Sequence, residues 1–171
     1  MNLETLISSN AVICNKKIKS KKRALEVLAE HLASEMSAGS AQSTEIESGE
    51  ATDIEALPIF QLLTEREKLG STGIGHGVAL PHARSEMTER AIGAFMKLDH
   101  GIEFDSPDEQ KTDLIFALLV PEHSTDEHLQ ILSHLASLFS DENFCETVRK
   151  SDNQTDIYNH LINWQTTSQA S

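Results

Sequence analysis

The chain has 171 residues, 39% of them hydrophobic, and its 14 Lys and Arg face 27 Asp and Glu for a formal net charge of -13. That length favours one domain of ordinary size, and so acidic a balance argues against coating nucleic acid or an anionic membrane, which runs on basic patches, while it permits steering toward basic protein partners. Cys14 and Cys145 form no CxxC pair and fit a reducing compartment better than a disulfide framework; the longest apolar run, 114–120, is too short to span a bilayer, and residues 1–10 lack the pattern of a signal peptide, so a cytoplasmic protein is expected.

Residues 20–36, SKKRALEVLAEHLASEM, read as an amphipathic helix: Ser20 is placed to cap it, and Leu25, Leu28, Leu32 and Met36 recur at helical spacing. Lys21, Lys22 and Arg23 slightly oppose the dipole of its first turn, which leaves a solvated turn or a partner contact. Residues 37–52 are small, polar and acidic and read as a flexible insert within the domain. A second helix is expected from about Ile54 to Lys68, with Pro58 tolerable only in its first turn, Phe60 and Leu63 as apolar anchors, and Gly70 as its stop. VAL (78–80) is a short strand, AIGAFMKL (91–98) another, and DLIFALLVP (113–121) a central strand covered on both faces.

A helix follows over 124–140, with Ser124 and Glu127 as its capping box and Leu129, Leu132, Leu135 and Phe139 as its core stripe. Asp141 should cap a further helix with Phe144 and Val148 inward. A last helix, about Asp156 to Trp164, buries Ile157 and Leu161, and residues 165–171 form a disordered tail. The order predicts an α/β fold, a small mixed β-sheet flanked by helices on both faces, in a single domain with its core over about 5–162.

The chemistry concentrates in LGSTGIGHGVALPHAR, residues 69–84, where four glycines fall within eight residues. Glycines let the backbone approach a ligand, and successive N–H groups can form an anion nest. Ser71, Thr72, Gly73, Gly75, His76 and Gly77 are therefore candidates to receive phosphate oxygens; a tight helix-to-strand turn is the alternative. The pattern is neither a Walker A loop nor the dinucleotide G-x-G-x-x-G. Pro81 fixes its own φ and pushes Leu80 toward an extended conformation, so His82 is held in a fixed direction, as a nucleophile should be. An imidazole of ordinary pKa about 6.5 is largely neutral at pH 7 and suits reversible phosphoryl transfer; a structurally bonded or solvated histidine is the competing reading.

A transferred phosphoryl group needs positive charge around it. Arg66 ends the helix that feeds the loop and Arg84 lies two residues past His82, and guanidinium offers bidentate contact; Arg66 and Lys68 could equally serve only the helix C-terminus. His128 lies early in the helix after the long strand, a place where α/β sites are built. No metal ligand is assigned, since none of the weighed spacings among His76, His82, His123, His128 and His134 gives the i, i+4 pair of an HExxH site. His31, His100, His134 and His160 read as ordinary surface or helix residues.

REKLGSTGIGHGVALPHAR, residues 66–84, strongly resembles the signature of the mannitol/fructose-type enzyme IIA domains of the bacterial phosphotransferase system, and SKKRALE (20–26) with DLIFALLVP (113–121) resembles their nitrogen-regulatory, PtsN-like branch (EIIA-Ntr). The likeness covers roughly residues 5–162. It implies that His82 is phosphorylated on Nε2 by a phosphohistidine carrier of the HPr or NPr type, that Arg66 assists, that His128 stands beside the phosphorylated ring, and that no cofactor is needed. It implies a regulatory phosphocarrier whose phosphorylation state governs binding to target proteins, of which kinases and potassium transport proteins are the suggested kinds; the alternative is a IIA component passing phosphate to a IIB domain of a sugar transporter. The sequence departs from the pattern at His76, often Asn, which would put a third imidazole near the site, and at PHAR in place of PHGK.

Overall fold

The computed structural model describes residues 3–39, 50–124 and 126–164, which form eleven α-helices and β-strands. In chain order they are β1 (Val12–Lys16), α1 (Lys21–Gly39), α2 (Glu50–Lys68), β2 (Gly73–Gly75), β3 (Val78–Ala79), β4 (His82–Ser85), β5 (Ile92–Ile102), β6 (Thr112–Pro121), α3 (Asp126–Phe139), α4 (Glu142–Lys150) and α5 (Gln154–Asn163). The sheet runs β1-β5-β6-β3-β2, with β4 also on β6. It is mixed: β1 is parallel to β5, β5 antiparallel to β6, and β3 and β4 both parallel to β6.

β6 is the spine, buried at every residue except Asp113, as a continuous apolar run requires. On β5, Ile92 to Leu98 are buried without a break, so both of its faces are covered. Phe95 and Phe116 are cross-strand partners, and Phe139 of α3 lies 5.7 and 6.2 Å from their ring centroids. On that same face Lys97 donates from Nζ to the Ser151 carbonyl just past α4. The alternating residues of β5 face the other way, toward α1, which packs on β5 with α2 laid along it. Helices on both faces of a small mixed sheet is the architecture the sequence predicts.

Several elements depart from expectation. β1 was not expected at all; it is preceded by two 3-10 turns, Leu3–Thr5 and Ser9–Ala11, and a five-residue strand is too short to announce itself by periodicity. Ser20 does cap α1, accepting from the Arg23 N–H at 3.1 Å, but α1 continues through residues 37–39 and α2 begins at Glu50, so both ends of the expected acidic insert are helical. The rest of that insert and the tail at 165–171 lie outside the described residues. Pro58 is two turns inside α2. The helix passes through it, at the cost of the bond its missing N–H would have made, because Ile59 and Leu63 are fully buried and hold α2 down.

α3 begins at Asp126, so the position before it, 125, lies outside the described residues and the Ser124–Glu127 box is not observed. Its core stripe is rotated from the expected one: His128, Ile131, Leu135, Leu138 and Phe139 are buried, Leu132 is half-buried and Leu129 is 63% exposed. Asp141 caps α4 as expected, accepting from the Asn143 and Phe144 N–H groups. Both cysteines are free.

Candidate functional site

β3 and β4 run end to end along one edge of β6, interrupted only by Leu80 and Pro81. Pro81 has no N–H for the ladder, but its carbonyl accepts the Leu118 N–H at 2.9 Å, and the Leu80 N–H is given to the Thr72 carbonyl at 3.0 Å. The Leu80 carbonyl meets His82, whose Nδ1 lies 2.8 Å from it. A carbonyl oxygen only accepts, so Nδ1 carries the proton and Nε2 bears the lone pair. His82 is half-buried at the first residue of a strand rather than in a loop, which fixes its ring more firmly than Pro81 alone would. Burial lowers its pKa below 6.5, as do the charges of Arg66 and Arg84, against the opposite pull of the Leu80 carbonyl and Glu67; at neutral pH the ring is a neutral nucleophile.

His128 crosses it edge to face, with ring centroids 5.2 Å apart at 76°. Arg84 Nε donates to His128 Nδ1 at 3.2 Å, which leaves the His128 proton on Nε2, and that buried N–H has no partner among the described residues. Burial, then the charges of His82, Arg84 and Arg66, push the His128 pKa down to about 4. It is thus a neutral donor with nothing yet to bond, which a native site rarely tolerates without a function. Arg66 donates from Nη1 to the Gly70 carbonyl at 2.9 Å, so it closes the α2 C-terminus and also faces the site.

Leu62, Arg66, Leu69, His82, Arg84, His128 and Leu129 line one cleft of about 470 Å³. Its rim is apolar and exposed: Leu69 is 84% and Leu129 63% accessible. Such side chains beside a nucleophile suit docking of another protein surface. The expected core stripe hid Leu129; the residue that found its place was His128, one position earlier.

The glycine segment does not join this cleft. Gly73–Gly75 and Val78–Ala79 pair as an antiparallel hairpin, with His76 at φ 57° in its turn. Several of its donors are engaged within the protein: Ser71 Oγ on the Phe104 carbonyl at 2.6 Å, Thr72 N–H and hydroxyl on Glu67, and the His76 N–H on Asp108 at 2.9 Å. Ser71, Thr72, Gly73, Gly75, His76 and Gly77, the expected phosphate-binding residues, stand in a helix-to-hairpin turn. His76 and Gly77 line a separate cleft of about 650 Å³ beside Asp113 and Arg149. Gly77 sits there at φ 81°, a left-handed conformation that favours glycine. His76 lines this second cleft and not the one that holds His82 and His128. Glu67 was missed, although a carboxylate in the last turn of a helix opposes the dipole and so asks for a partner.

The profile of the phosphoenolpyruvate-dependent sugar phosphotransferase system EIIA 2 family matches residues 5–164. The chain is 35% identical over 161 residues, 94% of its length and 95% of the relative's, to a nitrogen regulatory protein of Bradyrhizobium diazoefficiens. It is 39% identical over 140 residues, 81% of its length and 76% of the relative's, to that of Escherichia coli. The crystal structure of the nitrogen regulatory protein IIA-Ntr from Neisseria meningitidis superposes with a TM-score of 0.78 at 34% identity, covering 91% of this chain and 96% of that one. Among the described residues no helix is long and apolar enough to cross a membrane.

Proposed function

Because the chain belongs to the EIIA 2 family of the phosphoenolpyruvate-dependent phosphotransferase system, on its nitrogen-regulatory branch, we propose that it is a regulatory phosphocarrier that accepts a phosphoryl group on Nε2 of His82 from a phosphohistidine protein of the HPr or NPr type in the cytoplasm. The observation that carries this is the Nδ1–H bond to the Leu80 carbonyl at 2.8 Å, which leaves Nε2 as the nucleophilic nitrogen. In the transfer the Nε2 lone pair forms the new N–P bond while the donor's N–P bond breaks and its electron pair returns to the donor imidazole. Nδ1–H of His82 shares the resulting positive charge with the Leu80 carbonyl.

Arg66 and Arg84 supply positive charge where the phosphoryl oxygens concentrate negative charge. The unpartnered His128 Nε2–H is a donor for one of those oxygens, and its neutrality means it gives a hydrogen bond without giving up a proton. The product adds about -1.5 to -2 charges between the exposed Leu69 and Leu129. A partner seated on those leucines is repelled or recruited by that charge, which is how one phosphoryl group governs target binding.

Intact mass after incubation with a phosphorylated HPr-type carrier tests the reading. Wild type should gain one acid-labile phosphoryl group and His82→Ala none. A wild type that gains nothing from a donor shown to be competent would sink it. Onward loss of the phosphoryl group to a IIB cysteine would instead mark a transport component.

A further inference from the structure

Glu67 sits in the last turn of α2, where its charge opposes the helix dipole, and it is 8% exposed. A carboxylate so placed needs compensation. It receives the Thr72 N–H at 3.2 Å, the Thr72 hydroxyl, and Lys21 Nζ at 2.9 Å. Lys21 reaches in from the first turn of α1, 4.6 Å over the Phe104 ring and 3.6 Å from Asp105. From Thr72 the path continues to the site: its carbonyl accepts the Leu80 N–H at 3.0 Å, and the Leu80 carbonyl accepts the His82 Nδ1–H at 2.8 Å. An ion pair between two helices anchors one end of a hydrogen-bonded path whose other end is the imidazole.

We propose that Lys21 and Glu67 are positioning residues for His82: they hold Thr72, and through it the Leu80 carbonyl, in the orientation that keeps the proton on Nδ1 and the lone pair on Nε2. The inference rests on His82 being the phosphoryl acceptor. The charged and titratable groups around His82 are Glu65, Arg66 and Glu67 from α2, Arg84 from β4 and His128 from α3. Of the two carboxylates, Glu67 is the one that acts on the His82 charge, and it favours the protonated ring. Lys21 neutralises it, so the pair pins Thr72 without holding the imidazole in its cationic, non-nucleophilic form.

The two partners therefore push His82 in opposite directions when removed, which a role in stability alone would not do. Glu67→Gln, Lys21→Met, the double variant and Lys21→Arg are compared in the full chain, with thermal melts to verify folding. Nitrogen-15 NMR of the histidine rings reads the tautomer and titration midpoint of His82 and needs no phosphoryl donor. Transfer from a phosphorylated HPr-type carrier is followed as kcat and KM. Glu67→Gln should lower the midpoint and populate the Nε2–H tautomer, and Lys21→Met should raise the midpoint.

Glu67→Gln, Lys21→Met and the double variant should each lower kcat about tenfold with KM unchanged, the scale of losing an outer partner of a functional histidine. Lys21→Arg should restore the wild-type values, and the double variant should match Glu67→Gln alone, since Lys21 acts through Glu67. Wild-type midpoints and tautomer in the folded variants would overturn the inference, as would a kcat loss that merely follows the folded fraction. Should Glu67→Gln not fold, Lys21→Met carries the test, because Lys21 is partly exposed. If the midpoints diverge as expected while wild type accepts nothing from a competent donor, the positioning network stands and the phosphocarrier reading falls.

Discussion

The two imidazoles of the cleft are both neutral at pH 7, for reasons that differ in strength. His82 is lowered from 6.5 mainly by burial, and its bond to the Leu80 carbonyl resists part of the change. His128 has no such support and falls to about 4. In a pH titration followed by NMR, His82 should protonate below 6.5 and His128 near 4, each from the tautomer its partner dictates, Nδ1–H for His82 and Nε2–H for His128. Either ring titrating at or above 6.5 would contradict the packing described. The same shift is a statement about stability. Between pH 6.5 and 4 the unfolded chain protonates His128 while the folded chain does not, so stability is complete above 6.5 and is lost as pH falls toward 4. The drop from 6.5 to about 4 corresponds to on the order of 3 kcal/mol. Denaturant unfolding of wild type and His128→Gln across that range should show the variant's stability falling less steeply by about this amount; parallel curves would mean that His128 is solvated in the folded state.

At the scale of elements, α3 does two things with adjacent residues: His128 turns into the cleft and Leu129, one step around the helix, stands on its rim at 63% exposure. A charge placed there should disturb docking and spare the fold. Leu129→Asp should raise KM for a phosphorylated carrier about tenfold or more, as loss of an apolar anchor does, while its melting temperature stays near wild type because an exposed position contributes little; an unchanged KM would remove the rim from the docking surface. The rotation of this stripe shows what the sequence could carry. Long apolar periods were legible: β6, α1, and the caps Ser20 and Asp141 stand where the residues placed them. Leu129, Leu132, Leu135 and Phe139 fit helical spacing as well as the true stripe does, and only the sheet beneath α3 chooses between the two. β1 was invisible for a related reason, since five residues become a strand only when β5 is there to pair with. His82, Arg66 and His128 were legible by type and place and do share one cleft. Glu67 and the Leu80 carbonyl were not, because their effect depends on hydrogen bonds that no spacing encodes.

Across the whole molecule, β6 separates two ends. β3 pairs with it at Leu114 and Ile115, β4 at Leu118 through Pro121, and the Leu80–Pro81 step between them divides the glycine hairpin from the histidine. The sequence places both in one sixteen-residue stretch, and that nearness suggests a single phosphate-binding unit. Parallel pairing along a single neighbour pulls them apart. At the hairpin end, Arg149 of α4 grips Asp113 through Nε at 3.0 Å and Nη2 at 2.9 Å and donates to the His76 carbonyl at 2.7 Å, which ties the turn to both the sheet and the helix. This junction is partly solvated, with the Arg149 side chain 35% exposed, so its charge-assisted bonds are worth less than buried ones. Arg149→Met should therefore cost about 1–2 kcal/mol of stability, read by denaturant unfolding, and leave the rate of phosphoryl acceptance at His82 unchanged. A lowered rate in the folded variant would show that the Arg149–Asp113 junction at the hairpin turn, and not only Thr72 at its start, positions the histidine.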